Sequence, residues 1–137
     1  MIMTIKSLEI QRMVVQAAKN IAFLQQNDIN VYASVPARVK MPYVKLLALN
    51  FAPVKEAADL QRVAVSLFVA TEGKNNVLLL NIVEALYNHL PSGLEAYCAT
   101  HELPFDVLDI YDANFTINED LKNAAWTGTY TITLDIR

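Results

Sequence analysis

The last twelve residues constrain this chain more than any other stretch. Trp126, Tyr130, Ile132, Leu134 and Ile136 fall on one parity, and Thr127, Thr129, Thr131, Thr133 and Asp135 on the other. A period of two is a strand with one face turned to a core, and threonine is β-prone yet compatible with water. A second alternation sets Val63, Val65, Leu67 and Val69 against Arg62, Ala64, Ser66 and Ala70, within a strand predicted over residues 60–71. Two half-buried strands require a sheet whose apolar face is covered by something else.

Two helical patterns supply that cover. Ile10, Val14, Ala17, Ile21 and Leu24 follow helical spacing, with Thr4 or Ser7 placed to cap the start and Asn27-Asp28 to end it. The second helix is predicted over residues 76–90 on the stripe Leu79, Ile82, Val83, Leu86 and Leu90, with an Asn of the preceding turn as its cap and Pro91-Ser92-Gly93 as its stop. Residues 31–42 read as a loop, 43–51 and 105–117 as further strands, and 94–104 as a short strand or an irregular crossing. Strands are grouped rather than alternating with helices. The expectation is an α+β fold, a mainly antiparallel mixed sheet with two main helices packed on one face, in a single domain spanning residues 1–137.

Composition adds a statement about surfaces. Charged residues make up 18% and hydrophobic ones 54%, and the mean hydropathy is +0.26. A chain of this size buries only about two-thirds of its unfolded surface. The surplus apolar surface therefore points to a subunit interface, with a monomer of unusually apolar core as the alternative. Charge is unevenly spread. Residues 1–62 carry eight basic and four acidic side chains, net +4, and residues 63–137 three and ten, net −7. Such a split suits head-to-tail contacts between copies, or balances internally if the halves fold together.

Chemistry-bearing motifs are scarce. The single cysteine, Cys98, lies near His101, Glu102 and His89 without metal-ligand spacing or a nucleophile's orienting partner. Asp106, Asp109 and Asp112 sit at intervals of three. Strand alternation would put the first and last on one face and Asp109 on the other, which suits a solvated surface and lacks calcium-loop spacing. Gly73-Lys74 has Phe68 where a phosphate-binding loop needs glycine. No catalytic, cofactor or metal residue is assigned, and the chain reads as a non-enzyme. A small basic and aromatic cluster, Arg38, Lys40 and Lys45 with Tyr32 and Tyr43, is the only feature pointing toward nucleic acid, and a larger basic stripe would be needed for binding. No apolar run approaches the length of a membrane span, and no secretory pattern opens the sequence, so a reducing cytoplasm is expected.

One resemblance covers nearly the whole length. The N-terminal helix, Val31-Tyr32 and a Pro-containing loop into Pro42-Tyr43-Val44, the alternating Val63 to Val69 strand, a helix carrying Glu84-Ala85-Leu86, and a closing strand with Trp126, Gly128, Tyr130 and Ile132 resemble the tail-terminator or tail-completion proteins of long-tailed bacteriophages and phage-like elements. The resemblance implies a structural protein of the virion tail, a homo-oligomer forming a six-membered ring that caps the tail tube and meets the head connector, with DNA passing through the lumen without sequence-specific binding. It implies Arg38 and Lys40 on a loop facing the lumen or tube. The threonine face of Thr127, Thr129, Thr131 and Thr133, or a sheet edge, is then the subunit interface. Alternatives from the same reading are another head-tail adaptor or baseplate component, a dimeric domain enclosing an apolar ligand, and a small enzyme using Cys98 and His101.

Overall fold

The computed structural model describes residues 2–54 and 57–137, with side-chain surroundings from residue 6 onward and, in the second stretch, from residue 59. Its elements are α1 (Ile2–Lys19), α2 (Ala22–Gln26), β1 (Asn30–Tyr32), β2 (Tyr43–Val54), β3 (Ala57–Glu72), α3 (Val77–Thr100), β4 (Val107–Asp120) and β5 (Ala125–Ile136). The five strands form one sheet in the order β1-β2-β3-β5-β4. Only β1 is parallel to its neighbour, so the sheet is mixed and mainly antiparallel, as the grouping of strands predicts.

The two alternating runs meet at the centre. Val63, Val65, Leu67 and Val69 on β3 lie opposite Leu134, Ile132, Tyr130 and Gly128 on β5, and every one of these large side chains is fully buried. Helices α1 and α3 cover this face. Burying each such side chain contributes about 1.5–3 kcal/mol, so register is strongly specified: a slip of one residue would turn the whole set outward.

The first helix departs from prediction at both ends. It begins at Ile2, which places Ser7 inside the helix rather than at a cap; the side chain of Thr4 lies outside the described residues. The helix also breaks before Ile21, whose extended backbone (φ −69°, ψ 121°) starts a separate turn, α2. The break lets Ile21 and Leu24 stay buried on the core after the chain changes direction. At the end of α2, Asp28 adopts a left-handed φ of 54°. Ile29 N–H then donates to Leu24 O at 2.9 Å and Asp28 N–H to Gln25 O at 3.3 Å, a Schellman closure with Leu24 and Ile29 both buried.

The second correction concerns Pro91. It stands inside α3 rather than ending it, and residues 94–100 continue the helix instead of forming a strand or crossing. Proline loses one helical hydrogen bond and crowds the carbonyl a turn back. Against that cost, the apolar stripe runs on through Leu90 to Leu94, both fully buried. Gly93, next along, faces α1: a Cβ there would lie 3.5 Å from the Ala17 Cβ, so the two helices approach closely over small residues. The Asn of the preceding turn acts as predicted in kind, with Asn75 Oδ1 accepting from Val77 N–H at 3.2 Å.

One core position carries a polar misfit. Tyr130 is completely buried and its hydroxyl has no hydrogen-bond partner among the described residues. Burial holds the phenol well above its ordinary pKa, reinforced by Tyr87. An unsatisfied buried hydroxyl costs about 1–3 kcal/mol. Tyr130→Phe is therefore expected to raise stability by about 1 kcal/mol in urea unfolding; a loss would show that the hydroxyl is paired.

Candidate assembly interface

Cys98 and His101 are engaged in contacts of their own. The Cys98 thiol donates to Met13 Sδ at 3.7 Å, between α3 and α1. Desolvation pushes its pKa up, and the charge of Glu95 adds to the effect, the opposite of what a nucleophilic thiolate needs. His101 stacks on Tyr97 with ring centroids 3.8 Å apart, and its Nδ1 lies 3.0 Å from Thr100 Oγ1 and 3.1 Å from Tyr97 O. No group of three or more His, Cys, Asp or Glu side chains among the described residues is placed to hold a metal ion. Cys98 is expected to react with a disulfide reagent at pH 8 more slowly than a free thiol, as absorbance of the released thiolate would show. Rapid labelling would reinstate it as a nucleophile.

The three spaced aspartates are not arranged by simple alternation. Asp106 precedes β4, where its backbone N–H and C=O pair with Arg137. The register of β4 on β5 shifts between Val107 and Asp109 and again between Tyr111 and Asn114, and Asp112, inside the second irregularity, has φ 56°. These bulges reset the parity, so Asp106 and Asp112 do not form the shared strand face that a regular strand would give them. They remain exposed, as predicted.

A groove of about 680 Å³ between α1 and α3 is lined by Arg12, Gln16, Gly93, Ala96, Tyr97 and His101, among others. It opens to solvent, and Arg12 within it is paired with Glu9 at 3.0 Å. Its geometry is a seam between helices, not the enclosed apolar chamber that a ligand-binding domain would need.

The opposite side of the sheet is different. No described helix packs on it, and it presents small and polar side chains, all half-buried: Ala64, Ser66, Thr127, Thr129, Thr131 and Thr133. Ser66 and Thr131 share a hydrogen bond across the strands at 3.1 Å. All four threonines therefore stand on one open face, as predicted, but β5 is internal, between β3 and β4. A partner can reach them only across the face, never along a strand edge. Toward β1 the face becomes aromatic: Tyr43 contacts Tyr32 at 6.4 Å and Phe68 at 6.5 Å between ring centroids, and Lys45 Nζ lies 5.3 Å over the Phe68 ring. Sequence spacing groups Tyr32, Tyr43 and Lys45 but misses Phe68, which only the pairing of Lys45 with Phe68 across β2 and β3 reveals.

Arg38 and Lys40 lie on the loop 33–42, which leaves the edge strand β1 and returns to the start of β2. Both are exposed and neither has an ion pair among the described residues. The structure thus sets them apart from the threonines: the basic loop belongs to one sheet edge and the threonine face to the sheet's middle.

The comparison that bears on this arrangement comes from solved structures. A chain in the structure titled "Virion of native gene transfer agent (GTA) particle" superposes with a TM-score of 0.64 at 15% sequence identity, covering 92% of each chain. The chain is similar in fold to that virion chain. At this identity the likeness concerns architecture, and it extends over nearly the full length of both. No family model matches the sequence, and no curated protein does.

Proposed function

We propose that the chain is a structural component of a phage-like virion: one subunit of a ring that caps the tail tube and joins it to the head connector. The observation that carries this reading is the shared fold over 92% of a chain from a gene transfer agent virion. Two features of the molecule support it. The open sheet face and free sheet edges leave unpartnered surface that a ring would cover. The half-buried Cys98 thiol is engaged with Met13, and its pKa is pushed up rather than down, which favours a protein acting by shape rather than catalysis.

In this role the homo-oligomer is a hexamer, its partners are the tail-tube protein and the head connector, and DNA crosses the lumen without sequence-specific contacts. Arg38 and Lys40 serve at the lumen or tube side. The threonine face of Thr127, Thr129, Thr131 and Thr133 or a sheet edge makes the contact between subunits. No described helix is long and apolar enough to cross a membrane.

The test is end-capping. Purified protein is added to tubes growing from the tail-tube protein of the same particle, and the tubes are imaged by electron microscopy. The expected result is density at one end only and arrest of growth at that end. Tubes that elongate unchanged, with the protein bound instead to connector rings, would replace the terminator by a head-tail adaptor.

A further inference from the structure

The two edges of the sheet differ in a way that the order of strands makes consequential. Residues 30–54 carry Arg38, Lys40 and Lys45 and no carboxylate, whereas residues 106–121 carry Asp106, Asp109, Asp112, Glu119 and Asp120 and no basic residue. The first stretch builds β1, its loop and β2 at one edge of the sheet; the second builds β4 at the other.

Among the described residues, both edges present backbone without a strand partner. β1 covers β2 only from Tyr43 to Lys45, so β2 from Leu46 to Val54 has no outer neighbour among the described residues. That segment, Leu-Leu-Ala-Leu-Asn-Phe-Ala-Pro-Val, contains no charge, and Leu47 is 49% exposed. An uncharged apolar edge strand of nine residues is an aggregation hazard unless something covers it. The edge β4 exposes Leu108 and Phe115 between its carboxylates, and its charges oppose pairing with an identical edge.

We infer that β4 of one copy pairs with the free edge of β2 in the next, so that the sheet continues from subunit to subunit. This rests on the ring reading and names its interface. Successive pairs β2–β3, β3–β5 and β5–β4 are antiparallel, so β4 runs opposite to β2. Two copies set side by side in the same orientation therefore bring β4 against the neighbour's β2 in antiparallel sense. Within a chain, Pro53 is level with Val107 and Leu46 with Phe115 through β3 and β5. With little stagger, the neighbour's uncharged β2 segment lies beside the first half of β4, and its Arg38–Lys40 loop beside the last part, near Glu119. Pairing of like edges is disfavoured, because it would set five carboxylates against five, or cations against cations. The contact is heterologous, and a rotation that repeats it closes a ring. Six five-stranded sheets make thirty strands; at ~4.8 Å per strand the circumference is about 140 Å and the bore about 45 Å between backbones.

Charge exchange between the edges tests this. Four samples are read by native mass spectrometry at low salt: the parent, Arg38→Glu/Lys40→Glu, Asp109→Lys/Glu119→Lys/Asp120→Lys, and an equal mixture of the two variants. The parent is expected to give rings, and each variant alone at least tenfold fewer, because its two edges then carry the same sign. The mixture is expected to restore rings containing three copies of each, since alternating variants place opposite signs at every joint. Melting temperatures equal to the parent's show that the variants fold. Rings at the parent's level from either variant alone, or none from a mixture of folded variants, overturn the edge pairing and leave the ring standing. A parent that forms no ring, alone or on tail tubes, overturns the ring reading itself.

Discussion

Gly128→Val is expected to lower the stability of the fold by about 3 kcal/mol or more, because the site has backbone on one side and a helix on the other. A Cβ at Gly128 would lie 3.2 Å from the carbonyl oxygen of Thr116 on β4 and 3.3 Å from both Leu79 Cδ1 and Val83 Cγ1 on α3. The leucine and valine ends can yield by a few tenths of an ångström, but a strand carbonyl held in register cannot. Valine adds two further methyl groups in the same space. The glycine is what lets α3 settle on β5 where β4 joins it. Against a total stability of about 5–15 kcal/mol, such a loss leaves a protein with little margin. In urea the midpoint should fall by about 1–3 M, with Gly128→Ala losing less. An unchanged midpoint would mean that α3 does not pack against this part of the sheet.

A second pair of substitutions tests which face of β5 is inside. Ile132→Ala is expected to cost about 2–5 kcal/mol, since the side chain is fully buried opposite Val65 and its removal leaves a cavity under the helices. Thr131→Ala, one residue away, is expected to cost about 1 kcal/mol or less: it loses a partly exposed hydrogen bond to Ser66 and no core contact. Neighbours in the chain should therefore differ by at least about 1 kcal/mol under the same urea titration. Equal effects would mean that the threonine face is covered within the monomer, which would remove it from the surfaces available to a partner.

Much of this architecture is legible in the alternation of β3 and β5 and in the stripes of α1 and α3, because burial imposes periods of 2 and 3.6 directly on residue type. Where sequence and structure part, a nonlocal effect prevails over a local rule. Pro91 obeys the rule for ending a helix, but Leu94 gains more by staying on the core than the missing hydrogen bond costs. The break at Ile21 has no proline or glycine to mark it; it arises from the turn the chain makes to keep Leu24 buried. The bulges of β4 are equally silent, since Asp112 takes a left-handed φ without a glycine.

The candidate interface was legible only in part. The charge imbalance between the two halves of the chain is plain in the sequence, as are Arg38, Lys40 and the threonines. What periodicity does not contain is strand order. Placing β5 inside β4 makes the threonines a face rather than an edge and leaves the acidic strand at the margin. The same order turns an imbalance along the chain into two oppositely charged edges of one sheet.

The central claim is that this chain works as a closed ring, and its mass in solution tests that most directly. Native mass measurement of the purified protein, with negative-stain imaging of the same sample, should give six copies of 15.3 kDa, about 92 kDa, in rings with an open centre. A dimer whose two open sheet faces cover one another, or a chain that stays single even on tail-tube ends, would contradict it.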